Sequence, residues 1–505
     1  MTPHPDSHEI PHAGNGFESE QHYLMTPWQS GVTATPAISS AISPTGLSLD
    51  GSSPSMTWRP DEFTLNQGYQ EYREELRSLI FHTAQSVAPT RQGSPAGGNN
   101  DQPRDPDLLA YLDEEQRRET AEILAADGRV KYLRNYVDQV APWLDMFDSD
   151  RAFGTQITSL ARSSPALLYS VLALSARQME RKEGRKNSFE SLELYQEAIR
   201  LLAPLLEDRD VHVIPICTIL CCLEMMSASA QDWRKHLEGC AALFSTFDVH
   251  GFSGGLLQAV FWCYARMDVC GALISDGTES TLLPPSQWLA PAASNPSTTP
   301  TSRSLFHASP HPDMHANYSV YLCACVCELL AHRTRFLELG EQNGCAGPAF
   351  EDRWVALWDE LQAWLADRPP DFVPAKTVET SPFPEILYSR WSAISSNQLY
   401  HTACIIMLDM MPKPVRLRAA LGTVGSPLWH AKRVCGISWT NPHHGCLNNA
   451  IQPLWVAGRL LTHKSEHQVL VKLIWNIEAL TGWGTCWRIA DLEEVWGYRV
   501  KRSGF

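Results

Sequence analysis

The sequence has no cysteine in its first 216 residues, although the whole chain of 505 residues contains 14 of them. The cysteines that follow are scattered among Leu, Ile, Phe and Trp, as at Cys217, Cys221, Cys222, Cys263 and Cys270. In such surroundings a thiol behaves as a small buried hydrophobe, and disulfide frameworks belong to short secreted chains. We therefore expect reduced, buried thiols in a protein of the cell interior.

Long apolar runs are also missing. The longest, at residues 165–174 and 213–223, fall short of the roughly 20 residues that a membrane-spanning helix needs. The N-terminal residues show no basic start followed by an apolar core, so they do not predict a secretory signal. We expect no membrane span, and the cytosol or the nucleus as the location.

Basic residues are scarce in the N-terminal part of the chain. Residues 1–150 hold 10 Lys and Arg against 23 Asp and Glu, a net charge of −13, which leaves −2 for residues 151–505. Nonspecific affinity for nucleic acid comes from clustered Lys and Arg, and an acidic front is repelled by phosphate. The charge distribution therefore predicts that any DNA contact of this chain is weak or indirect.

Strand-like alternation is almost absent, whereas apolar residues at helical spacing recur along the chain, so we predict an all-α fold. Residues 1–106 are predicted to be a largely disordered, acidic segment rich in Pro, Ser and Gly, with one short helix at 58–86 that docks on a partner or on the body. A helical domain is predicted at 107–500, with a long loop at about 282–309. Beyond residue 128 the pattern predicts helices at 132–147, 165–180, 189–206, 213–228, 232–247, 256–273, 318–339, 350–366, 382–411, 427–438, 450–462 and 465–482.

The sequence contains no nucleophile elbow, no catalytic cysteine signature and no glycine-rich phosphate loop. The run Gly251-Phe-Ser-Gly254-Gly255 has no predicted strand before it and no Lys after it, so it indicates a helix cap and linker instead of a nucleophile elbow or a phosphate loop. Acidic pairs such as Glu493-Glu494 and the run 113–115 are expected on solvated faces. We predict that the chain is not an enzyme and name no catalytic or cofactor-binding residue.

Two groups of His and Cys residues have both a metal-binding and a structural interpretation. A zinc site needs three or four such ligands converging on one ion, usually from C-x2-C and H-x3-H spacings. Neither group has that spacing, so buried or capping roles are favoured and no metal ligand is predicted. The two groups are His430, Cys435, His443, His444 and Cys446, and Cys323, Cys325 and Cys327.

The 17 tryptophans and the one short basic run also have two interpretations each. Trp354, Trp358 and Trp364 share one predicted helix, where they line a ligand cavity or fill a core, and the core is favoured. The basic run at 181–186 is a nuclear-import patch or a solvated turn, and the turn is favoured.

Many segments of the body resemble, in their order and in their amino-acid sequence, the C-terminal regulatory region of fungal zinc-cluster (Zn2Cys6) transcription factors. The resemblance covers roughly residues 130–498. The segments are Val140-Ala-Pro-Trp-Leu-Asp-Met-Phe-Asp148, 165–169 with 173–178, Asp232-Trp-Arg-Lys-His-Leu-Glu-Gly-Cys240, 261–279, 394–403, 441–451 and Gly482-Trp-Gly-Thr-Cys-Trp-Arg488.

The resemblance implies an α-helical nuclear regulator of transcription, often of metabolic gene clusters, without catalytic residues. Such factors usually open with a six-cysteine module that holds two zinc ions and reads DNA, and no counterpart stands before Cys217. The leading hypothesis is a regulator of a metabolic or secondary-metabolite cluster that acts through protein partners, either a DNA-binding zinc-cluster factor or a second copy, and responds to a small-molecule effector. The alternatives are a truncated gene model of a DNA-binding factor, and a helical enzyme or small-molecule-binding protein.

Overall fold

The computed structural model describes most of the chain beyond residue 61. Most of the segment predicted to be disordered, at residues 1–61 and 87–105, lies outside the described residues. The structure describes residues 62–86, 106–126, 128–185, 189–227, 230–289, 301–309, 311–418 and 421–501.

Helices dominate the described residues, as the sequence predicted. The helices of the N-terminal half are α1 (Glu62–Leu65), α2 (Gln67–Ser86), α3 (Pro106–Ala125), α4 (Arg129–Asn135), α5 (Ala141–Leu144), α6 (Gln156–Leu160), α7 (Pro165–Glu183), α8 (Glu190–Glu207), α9 (Val213–Ser227), α10 (Ala230–Thr246) and α11 (Gly255–Ile274).

The C-terminal half adds ten more helices and one short hairpin within the described residues. They are α12 (Ser302–Ala308), α13 (Pro312–Leu339), α14 (Gly347–Ala366), β1 (Lys376–Val378), β2 (Glu385–Leu387), α15 (Trp391–Asp409), α16 (Lys413–Arg418), α17 (Pro427–Thr440), α18 (His444–Leu447), α19 (Ile451–Gly458), α20 (Lys464–Thr481) and α21 (Trp487–Trp496).

Local sequence explains where the long helices begin and end. The side chain of Ser164 accepts a hydrogen bond from the backbone N–H of Leu167, and Pro165 stands in the first turn, where its missing N–H costs nothing. The same helix, α7, ends at Gly184 with a φ of 64°, a left-handed conformation that glycine adopts without strain. Between α4 and α5 the chain makes one π-helical turn at Tyr136–Val140, which ends two residues before Pro142, a residue without the N–H that a regular turn would use.

Packing joins the helices into one continuous apolar core. In sequence order, α7 pairs with α8 and α9, α9 with α10 and α11, α11 with α13, α13 with α15, α15 with α17, and α17 with α19. The C-terminal part then returns to α7, because the Gln178 side chain donates to the carbonyl of Thr481 (3.0 Å) and Arg181 donates to that of Gly482 (2.6 Å). The first and last parts of the body are therefore in direct contact.

The prediction of one helix over residues 382–411 is wrong in its first part. The hairpin of β1 and β2 occupies residues 376–387, and α15 begins only at Trp391. Pro382 and Pro384 have no N–H to donate and disfavour helical geometry in the residues before them. The buried apolar residues of this stretch are Phe383, Ile386 and Tyr388, whereas the neighbours of Ile386 within β2 are exposed.

Side chains of α17 complete the hydrogen bonding of the hairpin. Asn441, directly after α17, accepts from the N–H of Tyr388 (3.0 Å) and donates to the carbonyl of Ile386 (2.7 Å). The hydroxyl of Thr440 accepts from the N–H of Ile386 (3.1 Å). One edge of the hairpin is thus fixed to the helical body.

Part of the interval predicted as a long loop is ordered. A 3-10 turn at Pro285–Gln287 seats the indole of Trp288, which is fully buried and donates to the carbonyl of Leu283 (3.0 Å). Helix α12 occupies Ser302–Ala308, and residues 290–300 lie outside the described part, so the loop as a whole stays a prediction. Among the described residues, no helix combines the length and the apolarity that crossing a membrane would require.

Candidate functional site: the groove that holds the N-terminal helix

Helix α2, with the short α1 before it, lies in a groove whose walls are α8 and α10. Tyr69, Leu76 and Ile80 are fully buried there and recur at helical spacing, so they form one stripe along α2. Phe63 of α1 packs its ring 4.5 Å from that of Tyr69 and is also buried. The groove therefore receives a continuous aromatic and aliphatic edge.

A glycine in α10 sets how closely the two helices approach. A Cβ atom added at Gly239 would lie 2.8 Å from Cγ2 of Ile80, closer than atoms pack in proteins. Ile80 is β-branched and has little rotameric freedom in a helix, so it cannot easily move aside. Gly239 thus gives Ile80 its place in the groove.

A buried carboxylate forms the floor of the groove. Glu224 of α9 is fully buried, and one of its oxygens accepts from the hydroxyl of Tyr195 in α8 (2.9 Å). The same oxygen lies 2.9 Å from Nδ1 of His236 in α10, which is fully buried as well. Burial lowers the pKa of His236, but the Glu224 carboxylate outweighs it, so the pKa ends above its usual 6.5. Three helices of the body therefore meet at Glu224.

Helix α2 brings the cations that face this carboxylate. Arg77, whose side chain is 5% exposed, places one guanidinium nitrogen 3.6 Å from the second oxygen of Glu224. It also donates to the carbonyl of Asp232, at the start of α10. Arg73, one turn earlier, lies 3.5 Å from the Asp232 carboxylate at the rim. The groove therefore matches α2 in charge as well as in shape.

The polar fit between α2 and the groove is incomplete. Five buried side-chain atoms have no hydrogen-bond partner: on α2 the Tyr69 hydroxyl and Nε of Arg73 and of Arg77, and in the groove the second oxygen of Glu224 and Nε2 of His236. The Glu224 oxygen keeps only its ionic contact with Arg77. Buried polar groups without hydrogen bonds destabilise the contact that buries them.

A second ionic group holds the outer end of the groove together. Arg177 of α7 donates to the hydroxyl of Ser227 (2.9 Å), and its guanidinium lies 4.1 Å from the ring of Phe63 in α1. Glu180 accepts from both the N–H (3.1 Å) and the hydroxyl (2.6 Å) of Ser191, which ties α7 to the start of α8. A cation–π contact of this kind in a desolvated place stabilises by about 2 kcal/mol.

Sequence reasoning missed this site as a site, although it allowed that the helix near residues 58–86 docks on the body. The available signal was Glu224, the single charged residue in the otherwise apolar helix α9. A buried charge needs a partner, so its position predicts a cation nearby. That the cation is Arg77, 147 positions away, depends on the tertiary fold.

The first group of candidate metal ligands is dispersed. His430 is buried and lies 2.7 Å from His401, ring nitrogen to ring nitrogen, while its Nε2 donates to the carbonyl of Val424 (2.9 Å). Cys435 is buried in α17, in the core. Burial lowers the pKa of His430 to about 4, which keeps its ring neutral. These side chains serve packing and loop anchoring.

The remaining members of that group lie near α18. His443 stacks on Trp391, with ring centroids 5.6 Å apart, and on His444 at 5.4 Å. The Cys446 thiol donates to the carbonyl of Trp391 (3.4 Å) and lies 3.8 Å from His443. Among the described residues no three His, Cys, Asp or Glu side chains are placed to hold a metal ion.

The second group of cysteines and the three tryptophans lie in the body, in the buried roles that the sequence analysis favours. Cys323 and Cys327 are buried in α13, and Cys325 is partly buried on another side. Trp354, Trp358 and Trp364 are all buried in the core, where Trp354 donates to the carbonyl of Met407 (2.8 Å).

Glu493 was predicted to be solvated, and that is wrong. It is 8% exposed because it accepts from the N–H of Val500 (2.9 Å), where the chain turns back after α21. Gly251 is more than a linker: a Cβ there would lie 2.5 Å from the Trp262 ring, and its N–H donates to the carbonyl of Trp288 (2.9 Å). Glu494, Glu114 and Glu115 are exposed as predicted.

A small cleft of about 160 Å³ opens beside the start of α13. Its walls include Tyr318, Asp367 and His315, and His315 stacks on Trp364 with centroids 4.8 Å apart. Burial lowers the pKa of His315 to about 4. Asp367 is already paired with Arg303 and with His307 (3.3 Å), so the cleft offers no free charge to a ligand.

The segments that carry the family resemblance contact one another. Arg266 of α11 is buried and donates to the carbonyls of Leu144 (2.6 Å) and Trp143 (3.4 Å), which joins two of those segments. Asp268 is buried too and accepts from the N–H groups of Leu282 (2.8 Å) and Leu283 (3.1 Å). The sequence segments shared with the family therefore include residues whose hydrogen bonds hold the body together.

Comparison with known proteins gives one curated relative. The chain is 23% identical to a protein called Transcription activator AMTR1, from Alternaria alternata, over 340 residues, which are 56% of this chain and 44% of that protein. The chain thus matches less than half the length of this relative. No solved structure matches the chain.

A family model, described as the fungal specific transcription factor domain, matches residues 131–501, which is most of the chain and nearly all of the helical body. The match starts after α2 and α3. The groove walls α8 and α10 and the floor helix α9 therefore lie inside it, while α1 and α2 lie outside. Both matches are to transcription regulators, as predicted, and neither is to an enzyme. The chain belongs to the fungal specific transcription factor domain family.

Proposed function

We propose that this chain regulates the transcription of a fungal metabolic or secondary-metabolite gene cluster from the nucleus, and that it does so through contacts with protein partners. The family match over residues 131–501 carries the proposal. The charge adds to it, since an acidic N-terminal part and a nearly neutral body give little attraction to a phosphate backbone. The DNA contact of the assembly then comes from a partner, for which a zinc-cluster factor is the proposed candidate.

A deletion strain tests the regulatory role. Removal of the gene should change the transcripts of a coherent set of neighbouring or co-regulated genes, and re-expression of the 505-residue chain should restore them. A strain in which a metabolite changes while transcripts stay constant would contradict the proposal and favour an enzyme or a ligand-binding protein.

Purified protein tests how the chain reaches DNA. The sequence has no cysteine before Cys217, and the described residues offer no metal cluster, so we expect less than one zinc per chain and little sequence-specific binding to promoter DNA. Addition of the partner should produce a specific complex that contains both proteins. Stoichiometric zinc together with nanomolar binding to an operator by this chain alone would contradict the proposed role of the partner.

A further inference from the structure

The contact between α2 and the body joins two unlike parts of the chain. The walls of the groove lie within the region that the family model matches, whereas the helix in the groove precedes that region. More than 100 residues separate the end of α2 at Ser86 from the start of the first groove wall, α8, at Glu190. The helix is thus an element from outside the family domain that is seated in a groove of that domain.

The groove is selective for a particular kind of helix. Its apolar part accepts a stripe of large side chains, and Gly239 leaves room for a β-branched residue at the position of Ile80. Its floor presents the carboxylate of Glu224 and its rim that of Asp232, so it favours a helix with arginine at the positions of Arg77 and Arg73. This is the helix-in-groove mode of peptide recognition, with charge added for specificity.

The internal helix does not use the site fully. The contact keeps several buried polar atoms without hydrogen bonds, including the Tyr69 hydroxyl of α2 and Nε2 of His236 in the groove. A helix whose polar side chain at the position of Tyr69 reached Nε2 of His236 would remove that penalty. The contact within the chain is thus weaker than its buried apolar area alone would give, and a better-fitting helix has room to compete.

We propose that this groove is a docking site for an amphipathic helix of a partner protein, one that carries arginine toward Glu224 beside a stripe of apolar residues, and that α1 and α2 keep the site closed until such a helix displaces them. The proposal rests on the proposed function, in that the partner is a regulatory protein. The occupant is a partner and not a second copy, because an identical helix brings the same side chains, leaves the same buried polar atoms without hydrogen bonds and so gains nothing over the internal helix.

A labelled synthetic peptide of residues 62–86 serves as the probe, with the full chain as its receptor. In the opened variant, R73E with R77E, the reversed charges repel the internal helix from Glu224 and Asp232. We expect the peptide to bind this variant at least about tenfold more tightly than it binds wild type. Adding E224Q to the opened variant should weaken the peptide about tenfold, because the carboxylate that its arginine faces is then gone.

The matched control is R118E with R418E, which reverses two largely exposed arginines in α3 and α16, helices that do not form the groove. This control should bind the peptide no better than wild type does. The proposal would be overturned if the opened variant kept the circular dichroism and melting profile of the wild type but bound no peptide.

Hydrogen exchange of the wild-type chain keeps the proposal testable even where the opened variant does not fold. Backbone amides of α2 should exchange at least about tenfold faster than those of α9 and α11, as expected of a helix that opens while the body stays folded. Equal protection of α2 and the body would overturn the proposal, and so would a dimer at micromolar concentration that exchanges α2 between copies. A deletion strain without transcript changes, together with tight peptide binding, would contradict the proposed function while leaving the docking site supported.

Discussion

Replacement of Arg77 by leucine tests the physical basis of the groove most directly. In the wild type the Glu224 carboxylate is fully buried and contacts Tyr195, His236 and the Arg77 guanidinium at 3.6 Å. Breaking a buried ion pair by removing one partner typically costs about 3–5 kcal/mol, since the remaining charge stays in a poorly polarisable place. His236 still faces the carboxylate, so we expect the lower end of that range.

The loss should appear as local opening and not as global unfolding. Undocking of α2 admits water to Glu224, and a cost of about 3 kcal/mol corresponds to more than a hundredfold increase in the undocked population. Native-state hydrogen exchange of the α2 amides measures this population, and the melting of the body should change little.

Two companion variants decide whether the ion pair is responsible. Arg73 pairs with Asp232 at the partly exposed rim, so Arg73→Leu should cost less than about 1 kcal/mol. Arg77→Leu combined with Glu224→Leu should be less destabilising than Arg77→Leu alone, because no buried charge remains. Equal effects of Arg77→Leu and Arg73→Leu on α2 exchange would refute the reasoning.

Three further predictions concern the groove and the hairpin. Gly239→Ala should undock α2 by about 1–2 kcal/mol through the clash with Ile80, measured by exchange of α2 amides, and Ile80→Ala in the same chain should remove the clash. Gly436→Ala should lower the free energy of unfolding in urea by about 3 kcal/mol, because its Cβ would clash with the backbone oxygen of Pro384; an unchanged midpoint would contradict the hairpin packing. The folded pKa of His236 lies above 6.5, so its stabilising contribution is present below pH 6.5 and is lost as the pH rises through the folded pKa. Over this range the unfolding free energy of the wild type should therefore fall relative to that of His236→Gln. Parallel pH profiles of the two proteins would count against the raised pKa.

The helical body could be predicted because its helices are long and strongly patterned. Helices α9 and α11 are apolar around most of their circumference, and such stretches become core helices. The order of the shared segments then indicated the family. These segments include residues that hold the body together through hydrogen bonds, such as Arg266 and Asp268. The local sequence pattern and the family resemblance therefore predicted the same helices wherever the structure depends on nearby residues.

The errors arose where long-range contacts override local pattern. Residues 376–387 form a hairpin because Asn441 and Thr440 supply hydrogen bonds from a distant helix, which no local window contains. Glu493 has an acidic neighbour and a polar setting in the sequence, yet the returning chain at Val500 buries it. In both cases the missing information is which backbone N–H needs an acceptor after the chain has folded.

Sequence reasoning could not identify the partner of Glu224 for the same reason, and the chemistry of the groove explains how a contact can be both specific and reversible. An entirely apolar groove would hold many helices with similar free energies, whereas a buried carboxylate penalises every helix that brings no cation. That penalty also limits the strength of the contact, because the ion pair returns little of the desolvation cost of Glu224 and Arg77. Selection for arginine and modest affinity thus follow from one buried charge, and a regulatory site that must open needs both.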